Sequence, residues 1–180
     1  MSIAVNAGPV RQNLSHPVQP GVSRPALRLG SSQDSKKQIL FVTSELTDLI
    51  KTGGLADVSA ALPRALCARH DVRVLIPGYR KVIESGHPIL TVGSLAPHAG
   101  IPGCQLGRMD MPDGLIIYVL LCPELYDRDG SPYGSPEGDD WPDNPLRFAR
   151  LGLAAAELAA GNASIRWVPD LVHAHDWPAG

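Results

Sequence analysis

Three short segments of this 180-residue chain carry polar side chains of types and spacings that suit ligand chemistry. The first is Lys51-Thr-Gly53-Gly54-Leu-Ala-Asp57-Val. Paired glycines ahead of a helix let the backbone approach a ligand closely. The helix start offers unpaired N–H groups and partial positive charge, which together favour an anion. Lys51 adds a full positive charge, so a phosphate-bearing ligand suits the segment. The same pattern also fits a tight turn beside a solvated lysine, and spacing alone does not separate the two. The second segment is Asp143-Asn144-Pro-Leu-Arg147, where the first residues can cap a helix and the arginine can pair at the surface or reach a ligand. The third is His173-Ala-His175-Asp176-Trp177. Alternation along a strand puts the two histidines on one face, yet no further ligand set for a metal accompanies them.

These segments need elements to position them. Ile39-Leu-Phe-Val-Thr43 is too short for a helix and long enough for a strand. Leu55, Val58, Leu62 and Leu66 recur at helical spacing through about Arg69, with Pro63 as a potential kink. Val72 to Ile76 forms a second strand, closed by Pro77-Gly78. Strand, turn, helix and strand in this order make a β-α-β unit and imply a parallel sheet. Further strands are expected over residues 89–121. A long loop follows over residues 123–142, a length usually tied to function. The next helix buries Phe148, Leu151, Ala155 and Leu158, and Leu171 to His175 forms a last strand. The predicted fold class is α/β, a Rossmann-like parallel sheet with flanking helices. Both the glycine segment and the histidines then lie at the carboxyl edge of strands, where such sheets bind ligands.

Residues 1–37 differ in composition. Arg11, Arg24, Arg28, Lys36 and Lys37 face a single acid, Asp34, amid Pro, Gly and Ser. They are predicted to be a disordered extension, with 38–180 as the folded part. The extension lacks the apolar stretch of a secretory signal, and its Arg/Ser content is only loosely like a transit peptide. The net charge of -2 gives no reason to expect nucleic acid or an anionic membrane as partner. No apolar run approaches the ~20 residues that span a bilayer. Cys67, Cys104 and Cys122 form no C-x-x-C pair, which fits reduced thiols in a cytoplasmic protein. A Walker-type loop and a G-x-G-x-x-G fingerprint are both absent, arguing against an ATPase and a dinucleotide dehydrogenase.

The Lys51–Val58 segment resembles the N-terminal signature of bacterial glycogen synthases and plant starch synthases. Ser44-Glu45, Leu125-Tyr-Asp-Arg128-Asp-Gly-Ser-Pro-Tyr133, Asp143-Asn-x-x-Arg147-Phe148 and Val172-His-Ala-His-Asp176-Trp177 fit the same family in the same order. The resemblance implies the N-terminal part of a GT-B glycosyltransferase, whose second domain is absent from this sequence. It implies retaining transfer of glucose from ADP-glucose to the non-reducing end of an α-1,4-glucan, without metal or cofactor. By that resemblance Lys51, Gly53 and Gly54 meet the donor diphosphate. Asp143, Asn144 and Arg147 line the sugar cleft, and Asp57 and His175 serve the reacting sugar. Pro178 departs from the family, which commonly has a histidine there. Two other readings remain open: a non-catalytic nucleotide-sugar or glucan-binding fragment, and a relative using UDP-glucose. A bacterial cytoplasmic location is expected, with a plastid the lesser alternative; oligomeric state has no signal in the sequence.

Overall fold

A computed structural model describes residues 35–180. The expected disordered extension therefore lies outside the described residues up to residue 34; residues 35–37 are exposed and irregular. The elements in chain order are β1 (Gln38–Val42), α1 (Gly54–Cys67), β2 (Asp71–Pro77), α2 (Arg80–Ile83), β3 (Ile89–Leu95), β4 (Cys104–Asp110), β5 (Ile116–Leu121), α3 (Pro123–Tyr126), α4 (Asn144–Ala159) and β6 (Leu171–Ala174). A 3-10 turn, Trp177–Ala179, follows β6.

The six strands form one sheet in the order β3-β4-β5-β2-β1-β6. β6, β1, β2 and β5 run parallel, the arrangement that the β-α-β pattern implies. β4 pairs antiparallel with both β5 and β3, so the sheet as a whole is mixed rather than purely parallel. The reason is connection length. The short loops around β4 have no room for the dozen or more residues of a crossover, so the chain turns back on itself there.

The central strands are buried because helices cover both faces. α1 joins β1 to β2 in one direction along the sheet, and α4 returns from β5 to β6 in the other. With right-handed crossovers the two helices lie on opposite faces. Leu40, Phe41, Val42, Val74, Leu75, Ile76, Ile117, Val119 and Leu120 are wholly inaccessible. On α4 the predicted face of Phe148, Leu151, Ala155 and Leu158 is buried, and Arg147 and Arg150 are buried with it.

On α1 the buried face is not the predicted leucine–valine stripe. Ala56, Ser59 and Pro63 face inward, Leu62 and Leu66 pack only partly, and Val58 is 46% exposed. Small residues let the helix sit close to the sheet, and a buried bond between Thr43 Oγ1 and Ser59 Oγ (2.9 Å) fixes that rotation. The helix runs uninterrupted through Pro63.

Reversal of direction at β1 matters for the site. Strand order switches there, and the loops leaving β1 and β6 diverge to opposite sides of the sheet. A crevice at such a switch point is where open α/β sheets take ligands.

Candidate active site

The loop after β1 is held from beneath by a residue absent from the predicted site, Glu45. Its side chain is 2% exposed. One carboxylate oxygen accepts from the backbone N–H groups of Thr52 and Gly53. The other accepts from the Tyr133 hydroxyl at 2.6 Å, and Tyr133 in turn lies 2.9 Å from Ser44 Oγ. Burial, then the neighbouring Glu45 carboxylate, push the Tyr133 hydroxyl well above its ordinary pKa, so it stays a donor. The glycine loop and the long loop are thereby tied by one buried carboxylate. An isolated acid and an isolated tyrosine far apart in sequence give no sign of this; only the Ser44-Glu45 pair within the family pattern hinted at it.

Gly53 and Gly54 open α1, with Gly53 in the N-cap position and extended. Neither has a positive φ, and a Cβ added to either would meet no protein atom within 4 Å. The fold therefore does not demand glycine here. Bare backbone facing open space suits close approach by a ligand. The N–H groups of Thr52 and Gly53 are taken by Glu45, so the anion-facing part of the loop begins at Gly54.

Lys51 Nζ contacts both oxygens of Asp57, at 2.6 and 2.8 Å, and Thr47 Oγ1 donates to the same carboxylate at 2.8 Å. The ammonium and then the Thr47 hydroxyl lower the Asp57 pKa below its ordinary value. Both partners remain about half exposed. An exposed pair of this kind is weak and readily exchanged for another partner. Beside it lies a cleft of about 280 Å³ lined by Lys51, Thr52, Lys81, Gly130 and Pro132. Lys81 thus adds a second cation at this edge.

The second predicted segment sits mainly under the long loop. Asp143 does not cap α4; it grips Arg128 through two contacts of 2.9 Å. Asn144 donates to the Tyr133 carbonyl at 2.7 Å and accepts from Arg147. Arg147 is not at the surface but 1% exposed. Its guanidinium donates to the carbonyls of Leu125 and Pro132, both at 2.9 Å, and burial lowers its pKa. The Tyr126 hydroxyl donates to its carbonyl at 2.8 Å. In this structure Asn144 and Arg147 serve to shape residues 123–142. Gly130 makes the bend of that loop: its φ is +112° and a Cβ would strike the Gly134 carbonyl at 2.5 Å.

At the end of β6, His173 stacks on Phe41 with centroids 4.8 Å apart, and His175 lies 5.7 Å from His173 on the same side, as alternation predicts. Asp176 then adopts φ +65°, ψ 170°, a region that only glycine occupies without strain. Its carboxylate accepts from the Trp177 N–H at 2.7 Å. Such outliers concentrate at functional sites. Trp177 is 65% exposed but meets Phe148 edgewise, with ring centroids 5.1 Å apart, and lies at a tilt to Tyr133 at 6.0 Å, which links the end of β6 to the long loop. Pro178 is buried.

Burial, and then the neighbouring His173, lower the pKa of His175 below the ordinary 6.5. The fold favours the neutral ring, whereas in the unfolded chain His175 takes up its proton near about pH 6.5. The stabilisation from neutral His175 is present above that pH and is lost as pH falls through the lower folded value. Urea midpoints of wild type and His175→Asn at about pH 8 and about pH 5 should show wild type losing more on acidification. Parallel losses would refute this.

Residues 38–180 match the family described as the starch synthase catalytic domain. The chain belongs to that family. It is 70% identical over 146 residues to a glycogen synthase of Pseudomonas putida, covering 81% of this chain and 28% of that protein. A glycogen synthase of Pseudomonas aeruginosa is 55% identical over 144 residues, covering 80% and 28%. Among solved structures, the catalytic domain of starch synthase IV from Arabidopsis thaliana bound to ADP and acarbose aligns with a TM-score of 0.61 and 26% identity, covering 81% of this chain and 29% of that one. The chain thus spans less than a third of the length of these relatives. The family membership and the α/β architecture expected from the motifs both hold.

Proposed function

We propose that the native protein carrying this sequence transfers glucose from ADP-glucose to the non-reducing end of an α-1,4-glucan such as glycogen, with retention of configuration. One observation supports it above the rest: the Lys51–Asp57 segment lies at the switch point of the sheet in a chain of the starch synthase catalytic family. In the absence of donor, Lys51 and Asp57 neutralise each other. Arrival of a diphosphate offers Lys51 a stronger anionic partner and releases Asp57 to accept a hydroxyl of the donor sugar. As the glycosidic bond breaks, negative charge grows on the leaving diphosphate. Lys51 and the free N–H groups at the start of α1 stabilise that charge, and they act strongly because they are already in place. His175, held neutral, presents a hydrogen bond to the sugar from the β6 side.

Asp143, Asn144 and Arg147 contribute on this reading by holding the loop that walls the glucan side. No metal or organic cofactor enters the scheme. The bacterial relatives favour a cytoplasmic setting, and no helix among the described residues is long and apolar enough to cross a membrane.

The test is incorporation of radiolabelled glucose into glycogen by the native protein, with ADP-glucose and UDP-glucose as rival donors. Label should enter from ADP-glucose preferentially. Preference for UDP-glucose would overturn the donor assignment. Retention of ADP-glucose without any transfer would instead support a binding role, the reading that buried Pro178, in the place of the family's usual histidine, favours.

A further inference from the structure

Two of the three cysteines face each other, in a region the proposed reaction does not use. β4 and β5 pair antiparallel with Gln105 opposite Leu121 and Leu106 opposite Leu120. Extending that register by one residue sets Cys104 directly opposite Cys122. Both thiols lie on one face of the sheet, since each is two residues from the paired, buried Leu106 and Leu120. Directly opposed residues in an antiparallel pair have Cα atoms roughly 4.5–5.5 Å apart. A disulfide requires about 4.4–6.8 Å. The backbone is therefore already in the range that a bond between the two sulfurs needs. Both residues are buried, Cys104 at 9% and Cys122 at 2% exposure, but both line a surface cleft of about 470 Å³ with Gly103 and Pro123. That gives a small oxidant access. Cys67, by contrast, is exposed and ends α1, outside the β4–β5 pairing that brings the other two together.

We propose that Cys104 and Cys122 form a redox-active pair that closes to an intrachain disulfide when a hydroperoxide reaches the cleft. One thiolate attacks the peroxide oxygen, breaking the O–O bond to give a sulfenic acid and releasing hydroxide, which takes up the thiol's proton. The second sulfur then displaces the sulfenic oxygen as water, forming the S–S bond. Two thiols are oxidised and one hydrogen peroxide is reduced to two waters. Burial raises the pKa of both thiols, that of Cys104 to about 11, so the thiolate fraction is small near neutrality and the pair responds to sustained oxidant rather than to traces. The positive charge of Arg150 acts on both thiols in the opposite sense, favouring the thiolate. Cys122 is also the residue from which the long loop departs, and its carbonyl accepts from Leu125 and Tyr126. A bond to β4 fixes that loop at its root.

The test uses the full chain treated with hydrogen peroxide, alkylated, and digested without reductant. The expected product joins the peptides containing Cys104 and Cys122, lighter by the two hydrogens lost, and is released by dithiothreitol. Cys67 should remain in a separate peptide. Cys104→Ser and Cys122→Ser should each abolish the joined peptide and leave the partner thiol open to alkylation after unfolding. The proposal fails if, in the wild-type chain, both thiols are recovered alkylated or separately over-oxidised, or if cross-linking runs only through Cys67. Since this assay does not read glucose transfer, its outcome is independent of the proposed function.

Discussion

Replacing Lys51 with glutamine in the native protein is expected to lower kcat/KM for ADP-glucose by about 10²- to 10³-fold, the usual scale for removing one group that stabilises charge in a transition state. The fold should survive. Lys51 is about half exposed, and among the described residues its ion-pair partner is Asp57 alone. Once the ammonium is gone, Asp57 loses the main cause of its lowered pKa but stays ionised near neutrality, with Thr47 still donating to it. The loss should therefore lie in kcat more than in thermal stability. Lys51→Arg should recover only part of the activity, because a planar guanidinium replaces a compact point charge. Asp57→Asn is the complementary probe: it frees Lys51 from its resting partner while removing the proposed sugar contact. A Lys51→Gln enzyme within a few-fold of wild type would remove Lys51 from the diphosphate site.

What could be read from sequence here divides along a physical line. Local patterns report local facts. The apolar run 39–43, the glycines before α1 and the buried face of α4 all appear where the pattern places them, because backbone geometry and near-neighbour burial decide them. Register and loop interiors follow different rules. The inward face of α1 is set by Thr43 meeting Ser59, a contact across elements that hydrophobic periodicity does not encode. Turning of β4 against the other strands follows from loop lengths around it, not from the residues within it. Glu45 looks like an ordinary polar loop residue until Tyr133, eighty-eight positions away, is found bonded to it. Arg147 reads equally well as a surface or a ligand-binding residue; only the closed loop above it shows where its donors go.

The same limit applies to Arg150, which stands in an otherwise apolar helix pattern and gives no hint in sequence of its burial. Arg150→Met should cost about 3–5 kcal/mol, the scale for breaking a buried ion pair by removing one partner. For a domain of this size that corresponds to a fall in Tm on the order of 10 °C. Arg150 is wholly inaccessible and holds Glu157 at 2.7 Å, while Glu157 itself is only 15% exposed. The same guanidinium donates to the carbonyls of Ala96 and Pro102, at 3.1 and 3.2 Å, and so anchors the loop between β3 and β4 to α4. Methionine fills much of the volume but leaves a largely buried carboxylate and two carbonyls without a donor. That residual charge, rather than the lost attraction, dominates the cost. Arg150→Met combined with Glu157→Leu should consequently regain most of the stability, and Glu157→Leu alone should be nearly as harmful as Arg150→Met. Chemical denaturation of the three variants decides it. A double variant no more stable than Arg150→Met would mean that the orphaned carbonyls of Ala96 and Pro102, and not the stranded carboxylate, carry the penalty. In that case the arginine's main task is to pin the β3–β4 loop.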